Sequence, residues 1–219
     1  MQSRIYRVNR IQPAHLNEVD FNLATPGSLD YARPESSSHR PRTRFALLHD
    51  MRQLYLRFTV DDCFIRVVQQ GFQVPVHKDS CMEFFVQPHR NYGYFNFEFN
   101  AGGAMQTRYV EDHARTPQGF KKSTPLPIEL GQQIEIYHSL PALIEPEITT
   151  PMQWTLTAGI PLTVMSAFGV PVKTVPGTRW RGNFYKCADD CSHPHWLSWS
   201  PVPEVNFHLP QCFGELYFE

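Results

Sequence analysis

The chain has 219 residues, 42% of them hydrophobic, 19% charged and 13% aromatic, which is enough apolar surface for a sizeable core and too much for a disordered chain. Twenty Lys and Arg against 21 Asp and Glu leave a formal net charge of -1, so there is no basic excess to neutralise a phosphate backbone and no nucleic-acid partner is expected. Nineteen prolines and 12 glycines, set among 16 Phe and 9 Tyr, break the sequence into short runs and favour strands over helices.

Periodicity of two recurs from residue 54 onward. Leu54, Leu56, Phe58 and Val60 form one face of a first strand. Met82, Phe84 and Val86 alternate with Cys81, Glu83 and Phe85, and Phe95, Phe97 and Phe99 alternate with Tyr94, Asn96, Glu98 and Asn100. Ile134 and Ile136 open another run, Trp154, Leu156 and Ala158 a further one, and Trp180, Gly182 and Phe184 alternate with Arg181, Asn183 and Tyr185. Leu216 and Phe218 close the chain in the same manner. Pro, Gly, Asn or Asp bound these runs, as strand ends require. Between them, Thr25–Thr43 reads as a surface loop, residues 112–133 as a Pro-rich connection, and Leu140–Thr150 as a place for at most a short turn of helix, given Pro141, Pro146 and Pro151. The expected fold is all-β: one antiparallel β-sandwich with long Pro-rich loops, residues 1–219 forming a single domain.

No apolar leader is visible at the start, no stretch approaches the ~20 apolar residues of a membrane span, and five scattered cysteines read as free thiols of a reducing compartment. These features predict a cytoplasmic protein without a membrane span.

The segment Pro75-Val76-His77-Lys78-Asp79-Ser80-Cys81-Met82-Glu83-Phe84-Phe85-Val86 resembles the Lys-Asp-Ser-x-x-Glu strand of the family 9 carbohydrate-binding modules and their stand-alone relatives in the broader DOMON-like superfamily. Leu54–Asp62, Tyr94–Asn100 with Gly102, Trp180–Cys187, Trp199-Ser200-Pro201, Phe207-His208, Pro210 and Phe213-Gly214 are similar to further pieces of that pattern, so the resemblance spans residues 45–219. It implies a β-sandwich that binds a saccharide without cleaving it, in some members with structural Ca²⁺. Where such modules hold a sugar between two aromatic rings, this chain has His77 ahead of Lys78, and the alternation of Trp180 with Gly182 and Phe184 assigns Trp180 to the core.

From the residues themselves, a carbohydrate-binding face falls on Glu83, Phe85, Asn96, Glu98, Arg181, Asn183 and Tyr185, with Asn100 beside them, because all point away from the core face of their strands. Carboxylates accept from hydroxyls, Arg donates in pairs, and rings stack on sugar C–H faces; an ordinary solvated sheet face has the same look. Asp61-Asp62, Asp79 and Asp189-Asp190 are oxygen donors for Ca²⁺, though without the spacing of a known loop. Cys187-x3-Cys191-x-His193-x-His195 gathers four metal-ligating side chains, but its spacing fits no common finger, and a zinc-free loop is expected. Two other readings stand behind saccharide binding. One is a haem-binding or electron-transfer sandwich using Met105 with His49, His77 or His113; the other is a glycoside hydrolase using Glu83 and Glu98.

Overall fold

The computed structural model describes residues 4–204 and 206–219. Two packed sheets enclose the main core. The front sheet runs, in spatial order, Gly119–Pro125, Met105–Thr116, Tyr94–Asn100, Cys81–Gln87, Arg179–Cys187, Gly214–Phe218 and the first half of Ile5–Arg10. The back sheet continues from the second half of that strand through Arg42–His49, Gln53–Asp62 and Met152–Pro161 to Glu135–His138. Outside these sheets, Ile144–Ile148 pairs with Ile65–Val67, and Trp196–Ser198 joins Arg179–Cys187 to Tyr31–Ala32.

The alternation seen in the sequence sets the inner faces. Phe95, Phe97 and Phe99 from the front sheet meet Leu54, Leu56, Phe58 and Val60 from the back sheet, all fully buried in one cluster. Phe184 lies at its centre, stacked on Phe45 with ring centroids 3.5 Å apart and on Phe84 at 4.8 Å. Trp180 is buried against Phe218 at 4.7 Å, as its position in the alternation predicts.

The structure departs from the sequence expectations at several places. Thr25–Thr43, expected as a surface loop, carries the short strands Gly27–Ser28 and Tyr31–Ala32, paired to Arg42–His49 and Trp196–Ser198, and buries Leu29 and Arg33. Ile5–Arg10 runs parallel to both of its neighbours, Gly214–Phe218 and Arg42–His49, whereas the other strand-to-strand pairings named here are antiparallel. A strand inserted from the start of the chain is not tied to its neighbours by a hairpin, so nothing forces it to run antiparallel. Much of the supposed connection at 112–133 is a ribbon of paired strands, Met105–Thr116 with Gly119–Pro125, turned at Gly119, whose φ of 118° suits glycine. Residues 140–150 hold the strand Ile144–Ile148 where a turn of helix was expected, consistent with prolines that cannot propagate a helix.

The outer face of the front sheet is also covered. Phe85, Tyr94, Val110, Tyr185, Cys81 and Cys187 form a second apolar cluster with Phe207 and Phe213, which belong to the segment between Trp199 and Gly214 that folds back over the strands. The solvated face expected from the sequence is therefore an interior over much of its area.

Candidate functional site: a polar cleft on the front sheet

Where that covering segment stops, the outer face opens into a cleft of about 700 Å³. Its floor consists of Glu83, Asn96, Glu98, Gln106 and Cys187, contributed by four neighbouring strands. On one flank the Met105–Pro125 ribbon supplies Arg108, Arg115, Phe120 and Ser123; on the other stand Arg33, His77, Asp189 and Trp196; Asn206, Phe207 and His208 form an edge.

Strand register builds the floor. Glu83 faces Glu98 directly across the pairing of Cys81–Gln87 with Tyr94–Asn100. Asn96, two residues before Glu98 and so on the same face, donates from Nδ2 to Glu98 Oε1 at 2.5 Å and accepts from the Arg108 backbone N–H at 2.7 Å. Glu83 Oε1 accepts from the Cys187 thiol at 3.1 Å. Burial, reinforced by Glu98, pushes the Glu83 carboxyl well above the usual carboxylate range. Burial likewise raises Glu98 to about 7, against the opposing pull of the Asn96 hydrogen bond and the Arg108 charge. Near neutral pH this floor therefore presents a mixture of protonated and ionised carboxyls, able to donate as well as accept. Burial and the Arg115 charge lower His208 to about 3, so its imidazole is neutral and shares a 2.8 Å hydrogen bond with the Tyr94 hydroxyl.

Of the seven residues expected to form a sugar face, the cleft brings together Glu83, Asn96 and Glu98. The other four lie under the covering segment and fasten it. Asn183 exchanges hydrogen bonds with the Ser200 backbone, donating to its carbonyl at 3.0 Å and accepting from its N–H at 2.8 Å. The Tyr185 hydroxyl donates to the Phe207 carbonyl at 3.1 Å, with the two rings stacked at 4.1 Å. Arg181 Nη2 donates to the Pro210 carbonyl at 2.7 Å, and Phe85 packs edge-on to Tyr185 at 4.9 Å. Asn100, named beside them, is fully buried and bonds to the Gln69 carbonyl and to Asp79. Changes at Glu83 or Arg181 would therefore cost stability as well: Glu83 is 3% exposed, and Arg181 anchors backbone.

Arg33, Arg108, Arg115, Trp196 and His208 went unrecognised in the sequence. A usable signal for the covered face was present: Cys81, Phe85, Tyr94, Tyr185 and Cys187 make the outer side of these strands nearly as apolar as the inner one, which is the pattern of a sheet buried on both faces.

The Cys187–His195 run is dispersed. Cys187 joins Cys81 and Glu83, while His195 joins His39 and Asp62; these are the two groups of three close metal-ligating side chains among the described residues. In the second group a cation is already built in. Lys186, fully buried, donates from Nζ to His195 Nε2 at 2.9 Å and lies 3.6 Å from Asp62 Oδ2, and His39 Nε2 is 2.7 Å from Asp62 Oδ1. Burial alone would raise Asp62, but Lys186, His39 and His195 outweigh it and hold the carboxyl below its usual value. Burial and Lys186 together lower His195 to about 3. The residues of the haem reading are not gathered in one place: Met105 lies in the main core, His49 against Phe218 at 5.0 Å, His77 in the cleft, and His113 on the ribbon.

Two sheets packed face to face, with an open polar cleft carried on one outer face, define a ligand-binding β-sandwich. The chain belongs to carbohydrate-binding family 9, whose model matches residues 13–218. Over 100% of both chains it is similar to a candidate carbohydrate-binding protein from Bacteroides uniformis ATCC 8492, with a TM-score of 0.86 and 27% identity. A family 9 carbohydrate-binding module from Caldicellulosiruptor kristjanssonii in complex with glucose shares the fold at a TM-score of 0.65 and 13% identity, covering 99% of this chain and 96% of that one. Another structure of a family 9 module from that organism, in complex with cellotriose, gives 0.64 and 15%, with 99% and 94% covered. Comparison with curated protein sequences finds no match.

The acidic residues considered for Ca²⁺ are mostly engaged by the protein's own donors, although Asp79 Oδ1 is buried with no hydrogen-bond partner among the described residues. Asp79 Oδ2 accepts from the Val68 and Gln69 backbone N–H groups and from Asn100 Nδ2, Asp61 is taken by Arg44 and Gln153, Asp189 by Trp196 Nε1 and Asp190 by Lys78.

Proposed function

We propose that this protein binds a saccharide in the front-sheet cleft and does not cleave it. The observation that carries the reading is the floor: Glu83, Asn96 and Glu98, each at most 5% exposed, line the base of an open cleft rather than a closed core. Each has a partner within the protein, but a carboxyl can make more hydrogen bonds than the one it makes there, and the hydroxyls of a sugar supply donors and acceptors in the density such a floor can use. Trp196, Phe120 and Phe207 add apolar ring surface at the sides, suited to C–H faces. Membership of family 9, and the sugar complexes of the two Caldicellulosiruptor kristjanssonii structures, support the same ligand class. A glycosidase pair must flank the scissile bond; Glu83 and Glu98 are directly opposed on one sheet face and both reach a ligand from beneath.

A glycan array followed by calorimetry on the best ligand tests this. Glu83→Gln is expected to weaken that ligand by about tenfold, as loss of a carboxyl that hydrogen-bonds the sugar from the floor would, and aryl glycosides are expected to survive prolonged incubation. Release of product that disappears in Glu83→Gln would instead make the cleft catalytic.

A further inference from the structure

We propose that the saccharide this cleft takes is anionic, carrying a carboxylate or a sulfate, an inference that rests on the carbohydrate-binding reading above. Three guanidinium groups line the cleft: Arg33 on one flank, Arg108 and Arg115 on the other.

Arg33 is the most constrained. It is 5% exposed and lies between the rings of Trp196 and Phe207, 5.9 and 5.7 Å from their centroids. Its Nε donates to Glu35 at a long 3.4 Å, and its Nη2 is buried with no hydrogen-bond partner among the described residues. A buried, charged donor left unpaired is rare in a finished interior and points to a missing acceptor. On the opposite flank Arg108 has one side-chain contact, from Nη1 to Ser123 Oγ at 3.4 Å, and Arg115 lies over the Phe120 ring at 4.0 Å. Neither has a carboxylate within 4 Å among the described residues, while Arg4, Arg7, Arg44, Arg66 and Arg179 elsewhere in the molecule each have one.

The acids of the cleft do not use up these donors. Asp189 accepts from Trp196 Nε1 at 2.7 Å, Glu98 from Asn96, and Glu83 from Cys187. Burial also favours the uncharged form of both floor glutamates, which leaves the arginines in excess. A guanidinium offers parallel N–H groups in a plane, a geometry that a carboxylate or sulfate matches with two oxygens and a single hydroxyl does not. In this arrangement the hydroxyls of the sugar meet the floor, and its acid group meets the guanidinium groups of the flanks.

The test is calorimetric titration of the whole protein with cellotriose, trigalacturonate and a sulfated galactose disaccharide, at low and at physiological salt. Arg33→Gln, Arg108→Gln and Arg115→Gln are then titrated with the tighter ligand; Arg115 is exposed and Arg108 half-buried, so their loss spares the fold if Arg33→Gln does not fold. At least one anionic ligand is expected to bind about tenfold more tightly than cellotriose, to weaken as salt rises, and to lose about tenfold in Arg108→Gln or Arg115→Gln. Carboxylate and sulfate are told apart by which of the two binds. Cellotriose binding as tightly as both anions, or anion binding unmoved in all the folded variants, overturns the inference and leaves saccharide binding in place. Failure of all three ligands counts against saccharide binding itself.

Discussion

Replacing Glu98 by Gln should stabilise this protein at alkaline pH, although the residue sits in the binding cleft. The folded state holds the Glu98 carboxyl at about 7, against a reference value of 4.5 in an exposed chain. Between those two values the folded protein binds more protons than the unfolded one, so stability falls as pH rises, and the cost is complete once pH exceeds the folded value. A gap of about 2.5 pH units, at about 1.4 kcal/mol each, amounts to about 3 kcal/mol at pH 8. Glutamine has nearly the same shape, its side-chain oxygen can still accept from Asn96 Nδ2, and it carries no charge to bury. Urea unfolding of both proteins should therefore show the variant more stable by about 2–3 kcal/mol at pH 8, with the difference shrinking towards zero near pH 4.5. His195 and His208, both held at about 3 by burial, make each protein less stable as pH falls below the ordinary imidazole value of 6.5. Their contribution is common to both proteins and cancels in the difference. A pH-independent difference, or a variant less stable at pH 8, would refute the assignment of Glu98 as a buried carboxyl held up by its surroundings.

Phe97→Ala should cost about 3–5 kcal/mol, because the ring is fully buried in the main core and no neighbour can fill its volume; an unchanged denaturation midpoint would place this strand the wrong way round. Lys186→Met should cost a similar ~3–5 kcal/mol at pH 7 by leaving Asp62 ionised and buried with His39 and the Trp154 indole N–H as its remaining partners. Introducing Asp62→Asn into Lys186→Met should recover much of that loss, and a double variant no better than the single one would show that the lysine acts through packing rather than charge.

The core was legible because its strands obey one period on one face. Phe95, Phe97 and Phe99, and Leu54, Leu56, Phe58 and Val60, point where alternation puts them. The covered half of the outer face was harder to read because the register sets Glu83 between Tyr185 and Glu98, and Phe85 between Asn183 and Asn96, so that a cleft and an interior share the same cross-strand rows. Which part stays open depends on the course of residues 199–204 and 206–213, where a single 3-10 turn, Pro210–Cys212, gives no hydrophobic period to read. The ribbon at 105–125 projects beyond the core, its outer half mostly exposed on both faces, and a strand that buries neither face has no hydrophobic rhythm to display. Arg33 reaches the cleft because Tyr31–Ala32 pairs with Leu197 and Ser198, a long-range contact that local sequence does not encode.

The parallel seating of Ile5–Arg10 bears on the order in which the molecule can be assembled. Ile5 pairs with Glu215 and Val8 with Phe218, so the joint between the two sheets closes a loop that contains nearly the whole chain. Loop-closure entropy opposes such contacts until others are in place, and topologies rich in them fold slowly. Apart from Cys187, the floor of the cleft carries little such burden, since Cys81–Gln87, Tyr94–Asn100 and Met105–Thr116 follow one another in sequence as well as in space. The Arg33 and Trp196 flank must wait for residues some 160 positions apart to meet, as Ser36 and Trp196 do. The cleft is thus expected to mature from its acidic floor outward, with the flank that carries Arg33 among the last surfaces to acquire protection from hydrogen exchange during refolding.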